Sequence, residues 1–422
     1  MRINYFFKKH IIFTLLVIIL YAIFIFFHQQ RIQKNAGLGW DGVFYNSIYE
    51  VFKGEGGQTD KILQDFNYNT YDEMFNKGEP FNQRIGVPYL ASILKMDKFL
   101  AFSVINLSAF FIGIFLFINK WKSKIFLVII FTFYLMLTPQ IPFRFSLFYP
   151  ISVEGVLFLF LFLVIVFYDK PNVILFLTIL FLPFKEGCVL IGIVYFISLL
   201  INNIAKRKFN IILLLFKITF LVIIYFFYKK ILQYYFNVEL ESHGIKTIFF
   251  WINQNIYNPI FYIRLIACFF VVFSGFSIFY LKKIAENRII TQKFLFIFIL
   301  TPILVFSGSD ITRILCIILP FLFDDILDLN LSNQDYLWLL FCFLLFLPLK
   351  FPFLNLEFSD NQNIGEGFFL TQPEYLKVRY NLYYIIYSMI MILILYSSVF
   401  NKYIINNDKI LRLTKNKSSM PE

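Results

Sequence analysis

Residues 211–228 read IILLLFKITFLVIIYFFY, eighteen residues with a single charge, Lys217. A surface helix of a water-soluble domain keeps a polar face, and this run has none. Its length instead matches the hydrocarbon core of a bilayer, which about 20 helical residues cross. Within a bilayer every backbone N–H and C=O must be satisfied inside the chain, so a spanning run of this kind is a helix.

Such runs recur along the chain. Charged or polar residues cut them into twelve candidate spans: 11–27, 99–118, 125–142, 150–168, 173–184, 188–201, 211–228, 263–281, 294–306, 311–323, 336–349 and 381–400. The composition agrees, with 59% hydrophobic and 15% charged residues against roughly 45–50% and about 25% in soluble domains. The expected fold is all-α and polytopic, with about twelve transmembrane helices. Residues 1–400 form a single membrane domain, followed by a basic tail over 401–422. The first run, Ile11–Phe27, leads into His28-Gln29-Gln30-Arg31 and not into a small-residue cleavage site, so it is expected to be retained. Cys188, Cys268, Cys316 and Cys342 all fall in apolar segments with no metal-ligand spacing, as small hydrophobes would. His10, His28 and His243 are scattered. Heavy use of Phe, Ile, Asn and Lys points to an AT-rich, bacterial genome.

Lys and Arg set the orientation of such a bundle. With both termini in the cytoplasm, the inner segments hold nineteen basic and eight acidic residues, and the outer ones seventeen and eighteen. Almost all of the net +12 is therefore a topology signal, and nucleic-acid binding is not needed to explain it. One inner segment breaks the rule: 324–335 is acidic, with no basic residue. The expected location is a bacterial inner membrane, crossed many times. Three outer loops are long, at 28–98, 229–262 and 350–380, which puts the work of the protein on the far side.

Two helical pairs are short. Spans 173–184 and 294–306 cover only about 18–20 Å at about 1.5 Å per residue. Each is expected to turn round below the outer surface, which backbone does only where it is buried in protein or lines a cavity. The turns read Phe184-Lys185-Glu186-Gly187 and Ser307-Gly308-Ser309-Asp310.

The first outer loop opens with GWDGVFYNSIYE, residues 39–50. Trp40, Phe44, Ile48 and Val51 or Phe52 share one face of a helix from Trp40 to about Lys53, which is expected to lie in the interface with that face down. Asp41, Tyr45 and Tyr49 form the adjacent stripe. Asp41 has two readings of equal weight, an N-cap or a catalytic acid. Arg84 and Arg144 read either as interfacial snorkelers or as phosphate ligands, for which a guanidinium is suited. Glu154 sits one turn into a span, where an acid needs a partner or water. Asp310 and Arg313, three apart, share a helix face, and Arg313 lies at a helix start that disfavours a cation unless an anion is near. Asp72 and Glu73 read as a solvated pair. All of these charges fall on the predicted outer side.

In order, these segments resemble the GT-C superfamily of membrane glycosyltransferases. GWDGVFYNSIYE is similar to the Trp-Asp-Gly-x-x-Tyr pattern of its GPI-mannosyltransferase-like members. PFNQRIGVPYLASIL resembles the Arg-x-x-x-Pro element of many bacterial members. LPFKEG resembles their Arg/Lys-Glu turn, and SGSDITRILCIILP the late Asp-x-x-Arg…Pro segment. The resemblance covers residues 1–325. It implies interfacial helices in the first outer loop and a polyprenyl-phosphate-linked sugar donor. It also implies inverting transfer on the outer face to a glycan, lipid or protein acceptor, with the first-loop acid at Asp41. Many members carry two neighbouring acids there that bind a divalent metal, Mg or Mn; here Gly42 follows Asp41 and no second acid is adjacent.

Glycosyl transfer from a lipid phosphate needs a base for the acceptor hydroxyl and cations for the leaving phosphate. Asp41 is the expected base, and Arg84, Lys185 and Arg313 the phosphate ligands. Tyr45, Glu186, Asp310, Arg144 and Glu154 orient them or the sugar. The apolar bundle and surrounding lipids hold the prenyl tail. Two other readings stay open: a flippase for a lipid-linked glycan, against which stand the lack of a repeat and of midplane charge beyond Lys217, and an O-antigen-type polymerase. A structural membrane subunit without a site is the bland alternative.

Overall fold

The computed structural model describes residue 32 and residues 35–138, 141–206, 211–239, 243–287, 290–306 and 311–346, together with four positions between 386 and 393. The described residues build helices and no strand. The expected spans at 11–27 and 381–400 (bar those four positions), the 350–380 loop, the tail and Asp310 lie outside them.

The first outer loop folds as four short helices, α1 (Asp41–Phe52), α2 (Lys61–Asp65), α3 (Tyr71–Lys77) and α4 (Gly86–Ile93). The bundle follows as α5 (Lys98–Lys120), α6 (Ile125–Leu137), α7 (Pro142–Phe148), α8 (Glu154–Val166), α9 (Pro171–Phe181), α10 (Gly187–Ala205) and α11 (Ile211–Phe236). Then come α12 (His243–Asn255), α13 (Pro259–Phe273), α14 (Phe276–Asn287), α15 (Gln292–Val305), α16 (Ile311–Leu315), α17 (Leu319–Asp328) and α18 (Asn333–Phe346). Four stretches are long and apolar enough to cross a membrane: Lys98–Lys120, Lys122–Phe148, Gly187–Ala205 and Ile211–Phe236. Helices α8, α9 and α15 are apolar but shorter. Two expected spans are broken. The 263–281 run divides at Ser274, whose φ is 52°, and the 311–323 run passes through a 3-10 turn at Cys316–Ile318 before continuing to Asp328.

Local chemistry fixes the loop helices. Asp60 and Thr70 cap α2 and α3 by accepting from Ile62 N and Glu73 N. Glu73 reaches back to the Asn69 N–H at 2.9 Å and pairs with Lys77 at 3.1 Å, so one half of the Asp72-Glu73 pair closes a helix start. Helix α1 does not lie flat with one face outward, as its stripe suggested. Val43, Tyr45, Ile48 and Tyr49 are all buried, and α1 is packed between α3 and α4. Only Trp40 of the expected apolar stripe is largely exposed, at 55%. The amphipathic pattern misled because the adjacent stripe carries tyrosine, whose ring packs while its hydroxyl finds a partner.

The closest helix pair is α5 with α8. A Cβ on Gly155 would stand 2.1 Å from the Asn106 carbonyl oxygen, so here backbone meets backbone. Asn106 is buried in the middle of an otherwise apolar helix, and it is satisfied across this contact. Its Nδ2 donates to the Ser152 carbonyl at 2.7 Å, and its Oδ1 accepts from Gly155 N at 2.9 Å. Gly155→Val is expected to force the two helices apart and cost about 1–3 kcal/mol. All four cysteines are buried, so thiol labelling against temperature in detergent reports the loss. An unchanged midpoint would refute the close crossing.

The far end of α5 explains the acidic inner segment. Asp324 is fully buried, with Lys120 Nζ at 2.8 Å, Lys293 Nζ at 2.5 Å and Trp121 Nε1 at 2.8 Å. Lys283 pairs with Asp335 at 2.8 Å, Lys293 also meets Asp328, and Asp325 accepts from Thr291 Oγ1 at 2.9 Å. The carboxylates of 324–335 thus neutralise lysines of the 119–124 and 282–293 segments, which charge counting placed on the same side. At the opposite end, Lys98 holds Asn46 Oδ1 at 2.8 Å and Glu50 at 3.2 Å on α1. The 23 residues of α5 separate the two ends by about 34 Å, close to the roughly 30 Å of a hydrocarbon core.

Candidate functional site

The GWDG turn is shaped by what it must fit beneath. Gly39 has φ +69°, and a Cβ there would lie 1.9 Å from the Tyr149 ring, which is itself stacked on Phe145. A Cβ on Gly42 would stand 3.2 Å from the Ile151 carbonyl. The two glycines let the chain press against residues 149–151, the segment that leads into Glu154. Trp40 is the N-cap residue and gives no side-chain cap. Asp41 is the first residue of α1, and its Oδ2 accepts from Arg313 Nη1 at 3.1 Å. The N-cap position thus falls to Trp40, and the Asp41 carboxylate engages a cation 272 residues away.

Arg84 leaves the short 3-10 turn Phe81–Gln83 and enters the same neighbourhood. It is held on three sides. Its Nε and Nη2 donate to the two Glu186 oxygens at 2.8 and 2.5 Å, and its Nη1 donates to the Tyr45 hydroxyl at 2.7 Å. Its guanidinium lies 5.1 Å from the Phe81 ring centre. The turn bearing Glu186 is docked by Gly86 N on the Pro183 carbonyl at 2.8 Å. Beside Glu186, Lys185 Nζ meets Glu154 Oε1 at 2.6 Å. Each of three cations therefore faces its own carboxylate: Arg84 with Glu186, Lys185 with Glu154, and Arg313 with Asp41.

The three pairs form one electrostatic neighbourhood. Glu154 lies in the fields of Lys185, Arg313 and Arg84, and Tyr45 in those of Arg84, Asp41 and Glu154. Burial pushes the Tyr45 phenol up, against the pull of Arg84, so it stays a neutral hydroxyl. Burial holds the Lys185 ammonium below its ordinary range, although Glu154 opposes this. Burial would raise the Glu186 carboxyl, but the Arg84 charge and bonds outweigh it and hold it low. The cations differ in access: Arg84 and Lys185 are 11% and 15% exposed and Arg313 26%, while Asp41 and Glu186 are equally open at 24%. Glu154 lies well below the Lys98 end of α5. Gly155 is bonded to Asn106, eight residues along α5 from Lys98 and so about 12 Å in from that end.

Six of the expected site residues are thus linked by direct bonds in three pairs, with Tyr45 joined through Arg84. Arg144 has a different setting. It is buried, and its Nη1 donates to the Leu137 carbonyl at 2.7 Å, so it ties α7 to the end of α6. Its neighbour Phe145, which sequence reading passed over, lies under Arg313 at 5.3 Å. Gln83 was also passed over. It holds the Arg84 turn to α11 by accepting from Tyr225 at 3.1 Å and from Tyr228 at 2.6 Å. Tyrosines in a span were the available signal, since a hydroxyl at that depth needs a partner. Asn106 gave a similar one. Each of the three paired carboxylates faces a cation. Among the described residues, no three His, Cys, Asp or Glu side chains group to hold a metal. No family model matches the chain, and no curated protein or solved structure matches it.

Proposed function

We propose that this protein is a membrane glycosyltransferase that moves a sugar from a polyprenyl-phosphate donor to an outer-face acceptor, with inversion. The observation that carries the reading is the Asp41–Arg313 pair. A partly exposed carboxylate and a partly exposed guanidinium meet in a recess that also holds Lys185 and Glu154. The donor phosphate displaces the Asp41 carboxylate from Arg313 and shares Arg313 with Lys185. This frees Asp41 to accept the proton of the acceptor hydroxyl as its oxygen attacks the anomeric carbon from the face opposite the phosphate. The bond from that carbon to the phosphate oxygen breaks, and its electron pair stays on the phosphate, where the two cations stabilise it. Arg84, with Glu186 and Tyr45 on its three nitrogens, is a positioning residue in this scheme. It fixes the turn from which Lys185 projects.

Lys217 is the one midplane charge that a transport reading would use. It donates to Asn172 Oδ1 at 2.6 Å, at the start of α9, which favours a structural role there. The reading is tested with purified protein in lipid nanodiscs, given polyprenyl phosphates bearing hexosyl, N-acetylhexosaminyl or pentosyl groups, together with a membrane glycan extract. Release of free polyprenyl phosphate from at least one donor, dependent on the extract, is expected. No release from any of them would reject the assignment.

A further inference from the structure

The Trp40 indole is more than half exposed, one residue from Asp41, although its neighbours on α1 are buried. It is held in place, lying against Phe66 with ring centres 4.7 Å apart at 47°; Phe66 in turn meets Phe44 edge-on at 5.8 Å, and Phe44 stacks on Phe81 at 4.6 Å. Gly39 fixes the backbone behind it by its fit against Tyr149. Trp40 therefore places a held aromatic face one residue from a carboxylate, and that carboxylate bonds a guanidinium backed by Phe145. A pyranose ring has a matching layout. One face is a patch of C–H groups that packs on an aromatic plane, and the rim carries hydroxyls that bond to carboxylates and guanidinium groups. Binding sites for such ligands pair an apolar wall with a few convergent polar groups.

We propose that the Trp40–Phe66 wall is the acceptor subsite, on which the acceptor sugar stacks with its attacking hydroxyl turned to Asp41. This rests on the glycosyltransferase reading. The acceptor is assigned to this side because the donor phosphate belongs to Arg313 and Lys185, beyond Asp41. It follows that the acceptor is itself a glycan and not a bare lipid or a peptide hydroxyl. The rival role for Trp40 is an aromatic anchor in the lipid headgroups.

The test uses full-length protein in nanodiscs, labelled with 5-fluorotryptophan. The four tryptophans give four fluorine resonances, and Trp40→Phe assigns the one in question. Its resonance is expected to broaden with an aqueous gadolinium chelate. It is also expected to shift saturably with at least one of a panel of methyl glycosides of hexoses, N-acetylhexosamines, pentoses and uronic acids. Trp40→Ala should weaken the acceptor KM about tenfold with little change in kcat, and Trp40→Phe should recover most of it. Broadening by spin-labelled lipid in place of the chelate, or no shift with any glycoside, overturns the subsite. The shift must persist in Asp41→Asn. If it does so while no donor is ever cleaved, the sugar site stands and the transferase reading fails. Donor cleavage with no shift has the opposite meaning.

Discussion

Asp41→Asn is expected to lower donor turnover by about 10²–10⁴-fold, the usual contribution of a general base, and to leave the fold intact. The substitution is close to isosteric, and the amide oxygen can still accept from Arg313, as the carboxylate does at 3.1 Å. What it removes is the capacity to take a proton. The loss should therefore fall on kcat and not on donor affinity, since the phosphate is held by Arg313 and Lys185. Donor affinity could even rise, because Arg313 is released from a competing full charge. Single-turnover measurement of polyprenyl phosphate release separates the two. Turnover within tenfold of wild type would remove Asp41 from the chemistry, whatever the reaction proves to be.

Glu186→Ala is expected to destabilise the protein by about 3–5 kcal/mol, the range for breaking a buried ion pair from one side. Arg84 would keep its charge and lose two of its three bonds, those at 2.8 and 2.5 Å, in a setting where its side chain is only 11% exposed. The cost comes from the orphaned guanidinium more than from the attraction lost. It follows that Arg84→Met with Glu186→Leu should recover most of the stability and little of the activity, because the turn bearing Lys185 loses its Arg84 anchor and keeps only the Lys185–Glu154 pair, packing and Gly86 on the Pro183 carbonyl. Unfolding in mixed detergent and dodecyl sulfate micelles reads the stability of both. A double variant no more stable than Glu186→Ala would contradict this account.

Much of the site was legible because its residues are expensive. A charge beside an apolar run must be paired or solvated, so Lys185, Glu186, Glu154 and Arg313 drew attention by position alone. Their pairing was not legible. Local spacing points from Arg313 only to Asp310, which lies outside the described residues; the bond from Arg313 to Asp41 is a contact that no helical periodicity encodes. The aromatic supports were hidden for a different reason. In a chain with 60 Phe and 26 Tyr, Phe145 and Phe81 carry no signal of their own until a cation lies over them. Gly42 was read only as the absence of a second acid; it also lets α1 press against the Ile151 carbonyl. Among the spans, hydropathy located the apolar runs but not their breaks at Ser274 and Cys316–Ile318. At the first break the Tyr134 hydroxyl donates to the Val272 carbonyl and meets Ser274 Oγ, partners that hydropathy does not encode.

The length of chain between Asp41 and Arg313 also sets a clock. Ribosomes add about 5–20 residues per second, and 272 residues separate the two, so Asp41 waits roughly 15–55 s for its partner to be made. Arg84 with Tyr45 lies 39 residues apart, Lys185 with Glu154 31, and Arg84 with Glu186 102. The inner pairs of the recess can form while the chain is still growing, and the outermost closes last. A nascent chain truncated before residue 313 would hold Asp41 without its guanidinium, so the proposed site is complete only once about three quarters of the chain has been synthesised.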